Sequence, residues 1–430
     1  MDEYKVCLVD ANPFSDSGVT RGLDTYLSSF TNEQIFQICT NNKKLCKEKC
    51  LHYFRLTDKD VFRSRLHKNE KCGTSIELSM NGENLIREER RNKKYLITSI
   101  LYSDSPFIRF LRLLLWNKKI WGNEKLKLWL DTYSPDFVFV HCSSSAFILE
   151  IAMFVSDYLH IPLIFEIADD YFFIKHSPVS LFNRLYQQKY AITFKRIMAM
   201  ASGVIYLSDK MKNKYDSFFD KNGTSVYLSS YFTATGKQTS EKKCFQYFGN
   251  LGYGRRRTIL RLGREISKYG VNIHVHLPPT QNAVNRLSGK EKGIKDEGSL
   301  EYEGVLKEMR NTDVLVYIET FQKKKAEEIE LSLSTKISDY LASGIPILAV
   351  GSPKTGSISF LKKTKSAFVI DDKSKLEAYL KIFFDSNTDL SSFVKNAKTA
   401  YQDFFNLKKN QEKASELIRK VVETSKIQKE

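Results

Sequence analysis

A chain of 430 residues that is 42% hydrophobic and 13% aromatic exceeds the length at which one core usually keeps growing, which predicts two domains and excludes a mainly disordered protein. A formal net charge of +17 calls for an anionic partner, either a phosphorylated small molecule or an anionic membrane surface. No Cys/His finger, aromatic-basic RNA motif or basic region followed by heptads is present, so no nucleic acid partner is expected.

Residues 5–10, KVCLVD, read as an apolar strand ending in an acid. The polar loop that follows carries Gly18 and Gly22 and opens into a helix packing through Leu23, Tyr26, Leu27 and Phe30. Strand, glycine-containing loop and helix is how open α/β sheets hold a ligand at the strand carboxyl ends. The loop lacks the GxGxxG fingerprint, which disfavours a tightly bound NAD or FAD. Further strands are expected at 34–39, 50–56, 75–78 and 94–99.

Residues 105–130, SPFIRFLRLLLWNKKIWGNEKLKLWL, interleave aliphatics and all three Trp with Arg and Lys. One reading is a crossover helix whose apolar stripe faces the sheet. The other is a basic amphipathic helix on an anionic membrane surface, with Trp116 and Trp121 near the headgroups. The next strand, PDFVFVHC at 135–142, ends at His141, and its continuous apolarity marks a strand covered on both faces, as in a parallel sheet. A return helix at 143–160 leads to the strand IPLIFEI at 161–167, which runs out into Asp169 and Asp170. This strand, helix, strand unit argues for a parallel α/β domain. A helix at 182–201, a strand at 203–208, a helix at 209–219 and a short strand at 226–228 complete it.

The polar segment 233–243 reads as an interdomain linker. A second α/β unit starts with a strand at 244–248, a turn through Gly249, Gly252 and Gly254, and a basic helix start at Arg255, Arg256 and Arg257. Glycines there let backbone approach a ligand closely, and the arginines suit a diphosphate. A strand at 271–276, a charged surface loop at 281–300, a helix at 302–310 and a strand at 313–318 follow. The stretch 332–350, SLSTKISDYLASGIPILAV, is an amphipathic helix broken at Gly344 and restarted as a strand. It places Ser334, Thr335, Lys336 and Asp339 in the first helical turns, where free N–H groups favour an anion or where the polar residues simply cap the helix. Beyond it lie a helix near 358–362, a strand at 367–370, a helix at 376–384 and helical structure over 390–422.

Seven cysteines form no CxxC pair and read as free thiols in a reducing compartment. With neither a signal peptide nor an apolar run of membrane-spanning length, the expected location is cytoplasmic, with peripheral attachment to the inner face of the plasma membrane as the variant that the basic helix suggests. The chemistry has plain alternatives throughout. His141 is either a functional group or a satisfied core imidazole, Asp169 and Asp170 are either site carboxylates or caps, and Lys336 pairs either with a ligand or with Asp339 at i, i+3.

STKISDYLASGIPILAV resembles the Lys-x-x-Glu-Tyr-x-Ala-x-Gly-x-Pro-Val signature of the retaining GT-B glycosyltransferases of family 4, a group that builds capsule, lipopolysaccharide and other surface polysaccharides. The resemblance spans most of the chain. PDFVFVH is similar to the family's Pro-Asp-Val-Val-His-x-His strand end, and FGNLGYGRRR stands where the family carries a basic residue for the diphosphate. It implies a GT-B architecture of two Rossmann-like domains with parallel sheets facing across a cleft. The boundaries are 1–232 for an acceptor-side domain, 233–243 for the linker, 244–405 for the nucleotide-sugar domain, and 406–430 for a C-terminal helix crossing back. It implies a hexosyltransferase type enzyme that uses a UDP- or GDP-sugar as co-substrate, with a glycan or lipid-linked acceptor and no obligate metal. The catalytic residues would be His141, Asp169 and Asp170, and the donor would be held by Gly18, Arg256, Arg257, Ser334, Thr335, Lys336 and Asp339. Asp339 replaces the signature Glu, and Leu331 occupies the place of a second acid, with Glu330 one position out of register. A nucleotide-sugar epimerase of the same architecture and a non-catalytic GT-B-like membrane-associated protein are the alternatives.

Overall fold

Apolar runs in this chain become two parallel sheets. The computed structural model describes residues 4–14, 21–67, 70–79, 106–174, 180–232, 244–279 and 286–428. Gly18, the strand expected at 94–99 and the segment 233–243 lie outside the described residues. By contact density the chain divides into one unit of residues 1–226 with 411–430 and a second of 227–410.

In the first unit the chain runs through β1 (Val6–Asp10), α1 (Arg21–Tyr26), β2 (Ile35–Cys39), β3 (His52–Arg55), α2 (Asp58–Leu66) and β4 (Thr74–Glu77). It continues with α3 (Pro106–Leu115), α4 (Lys118–Trp121), α5 (Glu124–Tyr133), β5 (Phe137–His141), α6 (Ala146–Leu159) and β6 (Leu163–Ile167). Then come α7 (Leu181–Met200), β7 (Gly203–Tyr206), α8 (Asp209–Phe219) and β8 (Thr224–Ser225). The sheet order is β4-β3-β2-β1-β5-β6-β7-β8, parallel except for the antiparallel β4 at its edge. The last strand falls two residues before the expected 226–228.

β1 and β6 are buried at every position, as continuous apolar runs require when helices cover both sheet faces. Helix starts are fixed by side chains: Thr57 and Asp60 form a reciprocal capping box on α2, and Ser180 and Ser208 accept from Asn183 N and Met211 N at α7 and α8.

The segment 105–130 is not one helix. Asn117 and Asn123 cap new helices inside it, giving α3, α4 and α5. Trp116, Trp121 and Trp129 are all buried, which overturns the expectation that Trp116 and Trp121 meet headgroups. Trp116 stacks on Phe147 at 4.0 Å between centroids and donates its indole N–H to Asp58 Oδ1 at 2.6 Å, so its polar end is satisfied inside the protein.

The second unit contains β9 (Phe245–Phe248), α9 (Arg255–Ile266), β10 (Ile273–His276), β11 (Ile294–Asp296), α10 (Tyr302–Met309), β12 (Val314–Ile318) and α11 (Lys323–Glu328). It goes on through α12 (Lys336–Ala342), β13 (Ile347–Val350), α13 (Gly356–Thr364), β14 (Phe368–Ile370), α14 (Leu376–Phe383) and α15 (Ser391–Phe404). The last helix, α16 (Leu407–Ile427), falls for the most part in the first unit. The second sheet runs β11-β10-β9-β12-β13-β14, and every pairing is parallel.

Side chains alternate between its two faces. Val314, Val316 and Ile318 join one core with Ile259 and Leu262, while Leu315 and Tyr317 join the other with Ile337 and Tyr340. β11 forms inside the stretch expected to be only surface loop. Its register depends on Gly293, at φ +73°, where a Cβ would stand 1.9 Å from the carbonyl oxygen of Gly263. The seven cysteines carry no disulfide, and all but Cys244 are buried. Among the described residues, no helix is long and apolar enough to cross a membrane.

Candidate functional site

Each unit gathers polar groups at the carboxyl ends of its central strands. In the first unit, β1, β5 and β6 lie side by side and end at Asp10, His141 and Glu166 followed by Ile167. The β5–β6 register pairs His141 with Glu166, so the two side chains leave the sheet together, and His141 Nδ1 meets Glu166 Oε2. Tyr26 donates its hydroxyl to the other carboxylate oxygen at 3.2 Å, which anchors Glu166 from α1.

Glu166 is 1% exposed at its side chain, whereas His141 is 36% exposed, so one end of the imidazole is open. Burial disfavours the His141 charge, but Glu166 outweighs it, with Asp10 and Asp169 adding, and the imidazole is held charged up to about 10. Burial raises the Asp10 carboxyl, with His141 and the Asn12 N–H opposing. The result at neutral pH is an imidazolium, a hydrogen-bond donor backed by a buried carboxylate.

The two expected site acids separate. Asp169 is exposed and adds to the field at His141. Asp170 is buried, and its Oδ1 takes the N–H groups of Phe172 and Phe173 at 3.0 and 2.8 Å and the Tyr215 hydroxyl at 2.6 Å. That carboxylate organises the turn after β6, as the capping alternative anticipated.

In the second unit the turn between β9 and α9 begins with Gly249 at φ +124°. A Cβ there would stand 2.5 Å from Lys336 Nζ, so the glycine makes the space that the lysine enters from the start of α12. The ammonium lies 4.8 Å from the Tyr247 ring centroid and 5.6 Å from that of Tyr317. It does not reach Asp339. Burial, with Arg255 adding and Glu319 opposing, pulls the Lys336 ammonium down to about 7.

Arg255, rather than Arg256 or Arg257, shares this pocket with Lys336. Its Nε and Nη2 donate to Glu319 at 2.9 and 3.1 Å, and its Nη1 donates to Asn250 Oδ1 at 3.1 Å. Glu319 follows β12, is 2% exposed and also accepts from the Tyr317 hydroxyl at 2.7 Å. Burial works against the Arg255 charge and Glu319 more than offsets it, so the guanidinium stays charged. Arg256 instead turns to the Arg286 carbonyl and to Glu291, while Arg257 is exposed.

Asp339 is 5% exposed and accepts the hydroxyls of Ser230 and Tyr302 on one oxygen at 2.6 and 3.0 Å. Thr335 precedes α12 without a side-chain cap bond, and Ser334 N donates to Ser357 Oγ at 3.0 Å. Leu331 is buried. Glu166, Glu319 and Tyr247 are therefore candidate site residues that the motifs did not single out, and Arg255 stood in the arginine run without being preferred to Arg256 or Arg257. A lone acid within or just after an apolar strand was the signal for both glutamates.

No protein-family model and no curated protein matches the chain. Among solved structures, HepE from Anabaena, in complex with UDP-glucose, aligns at 12% identity over 97% of this chain and 100% of its own, with a TM-score of 0.58. The α,α-trehalose 6-phosphate synthase from Burkholderia multivorans aligns at 10% identity over 99% of this chain and 98% of its own, with a TM-score of 0.57. These likenesses establish the fold, which is that of the GT-B type: two α/β units, each on its own sheet.

Proposed function

We propose that the chain is a retaining glycosyltransferase of the hexosyltransferase type, moving a sugar from a UDP- or GDP-sugar to a glycan or lipid-linked acceptor in cell-surface polysaccharide synthesis. The observation that carries this reading is the pocket of Lys336, Arg255 and Gly249 at the ends of β9 and β12. It sets a desolvated ammonium beside backbone at the strand carboxyl ends, where open α/β sheets bind nucleotides. The UDP-glucose seen with HepE, a protein of the same fold, supports a nucleotide sugar as the ligand.

In this reading the second unit holds the nucleotide sugar and the first serves the acceptor. When the anomeric carbon–oxygen bond breaks, the diphosphate keeps the electron pair, the acceptor hydroxyl oxygen bonds to that carbon, and the proton it loses passes to the departing diphosphate oxygen. Lys336 stabilises the charge that builds on the diphosphate, as preorganised donors do in a site shielded from water. Asp339 takes ribose hydroxyls in exchange for those of Ser230 and Tyr302. His141, held as the imidazolium by Glu166, donates to a sugar hydroxyl, and Asp169 is the exposed carboxylate beside it.

The test is calorimetric titration with UDP and GDP, followed by product analysis with a nucleotide sugar in the presence and absence of glycan acceptors. Binding of at least one nucleotide, weakened in Lys336→Met, and sugar transfer to an acceptor are expected. An epimerised nucleotide sugar formed without acceptor would replace the transferase reading. No heat with any nucleotide would leave a non-catalytic protein of this fold.

A further inference from the structure

Soluble helices turn one apolar stripe to the core and a polar face to water. In α3 every position except Arg109 and Arg112 is apolar. Leu115 is buried, and Arg112 reaches inward to Asp58 with Nε at 3.1 Å from Oδ1 and Nη2 at 3.0 Å from Oδ2. The stripe at i, i+4, i+7 points out: Phe107, Leu111 and Leu114 are 47%, 41% and 53% exposed. Neighbouring helices repeat the pattern. Phe62 and Leu66 of α2 stand exposed at i, i+4, and so do Leu181 and Leu185 of α7.

These stripes form one surface. The ring centroids of Phe107 and Phe182 are 5.0 Å apart, joining α3 to α7, and Arg65 Nη1 donates to the Leu114 carbonyl at 3.1 Å, joining α2 to α3. Apolar patches of this kind mark interaction sites.

Charge identifies the occupant. Beside the paired Arg112 and Lys189, α3 contributes Arg109, α4 Lys118 and Lys119, and α7 Arg184, Lys195 and Arg196, while α2 carries Lys59, Arg63 and Arg65 against Asp58 and Asp60. Lys118 and Arg196 border the same cavity as Leu114, so cations flank the apolar face directly. Glu150 and Asp157 also line that cavity; Glu150 pairs with Lys189 at 3.3 Å, Lys118 Nζ lies 5.0 Å from the Phe154 ring centroid, and Lys118 and Arg196 are both exposed.

We propose that α2, α3 and the start of α7 form a docking face for an anionic lipid bilayer. Phe107, Leu111 and Leu114 enter the acyl boundary, and the flanking Lys and Arg meet lipid phosphates. This differs from a headgroup role for the tryptophans, which are core residues. It is also independent of the sugar-transfer reading, because it is measured without nucleotide.

The experiment is cosedimentation of the full chain with vesicles of phosphatidylcholine alone and of phosphatidylcholine mixed with phosphatidylglycerol. Binding to the mixed vesicles that weakens with salt is expected, with little binding to the neutral ones. Leu111→Ser with Leu114→Ser should weaken it by about tenfold or more, the scale of one or two leucines withdrawn from an apolar phase. Lys118→Glu with Lys119→Glu should weaken it by at least about tenfold. Both variants replace exposed side chains, and unchanged melting curves verify that they fold.

Binding to neither vesicle overturns the proposal, and so does anionic binding that the leucine variant leaves intact. A self-associated state in analytical ultracentrifugation that the leucine variant dissolves, without vesicle binding by the wild type, assigns the face to a second copy and overturns it equally.

Discussion

Lys336 makes the nucleotide reading measurable as protons. Its ammonium is pulled down to about 7 in the folded chain, so at pH 8 only about a tenth of the lysines carry the proton. A diphosphate placed against the amine favours the charged form and returns the group toward its ordinary value of about 10.4. Each nucleotide bound at pH 8 should therefore take up about 0.9 proton. UDP itself adds almost nothing at that pH, because its terminal phosphate ionises near pH ~6. Titrations of UDP in phosphate and in Tris, whose ionisation enthalpies differ, read this number as the slope of apparent enthalpy against buffer enthalpy. Lys336→Met should bring the slope near zero and weaken binding about 10- to 100-fold, the range of one charge-assisted hydrogen bond. The same variant should stabilise the fold at neutral pH. With the folded value below the unfolded one, the unfolded chain binds more protons between about 7 and 10.5, so the penalty of the buried ammonium is full below that window and fades as pH rises through it. A slope near zero in the wild type, or an equal slope in Lys336→Met, would refute the assignment of the anion to this lysine.

Three further outcomes test other parts of the structure. Glu166→Gln removes the carboxylate that holds His141 charged up to about 10, so the imidazole should titrate near its ordinary value of about 6.5 by NMR, and the basic limb of kcat/KM should move toward neutrality with it. In the wild type, the stability that this pairing contributes should be fully present below about pH 6.5 and lost as pH rises through about 10, and a Glu166→Gln chain with the wild-type pH–stability curve would contradict it. Asp339→Asn leaves the hydroxyls of Ser230 and Tyr302 with a weaker acceptor and should lower urea stability by about 1–3 kcal/mol as well as the affinity for UDP. Trp116→Ala removes the stack on Phe147 and the indole bond to Asp58, and should cost about 3–5 kcal/mol in the same urea assay, where a headgroup residue would cost almost nothing.

Much of the fold was legible because strands covered on both faces must be continuously apolar, and runs such as VCLVD, FVFVH and VLVYI have few other uses. β11 was hidden by the same logic: IKD buries only Ile294 and reads as charged loop. The short α11, KKKAEE, buries only Ala326. His141 could be found from its place at a strand end, but its meaning comes from Glu166, and that pairing depends on which strands are neighbours and in what register. The Arg run shows another limit. Consecutive helical residues point about 100° apart, so one of three can enter a given pocket, and without the phase of α9 nothing distinguished Arg255 from Arg256 and Arg257. The three Trp carried the composition of an interfacial helix, yet breaks at Asn117 and Asn123 fold that stretch into pieces that turn each indole inward.

The charges of the second unit also bear on which group would meet the proposed anion. Arg255 commits Nε and Nη2 to Glu319 and Nη1 to Asn250, and the Tyr317 hydroxyl occupies Glu319 as well. That arrangement is neutral as a pair and close to saturated in hydrogen bonds, so it offers a diphosphate little without breaking a buried ion pair, which is costly when only one partner is removed. Lys336 is in the opposite condition. Its contacts are two aromatic rings and the space beside Gly249, and among the described residues no carboxylate lies within ion-pair distance of it. The Arg255–Glu319 pair therefore sets the shape of the turn between β9 and α9, and under the proposed function the anion falls to Lys336. Asp339, where the resembled signature has Glu, is held by neighbouring hydroxyls. Its Oδ1 accepts the hydroxyls of Ser230 and Tyr302, so two donors help to seat the shorter carboxylate.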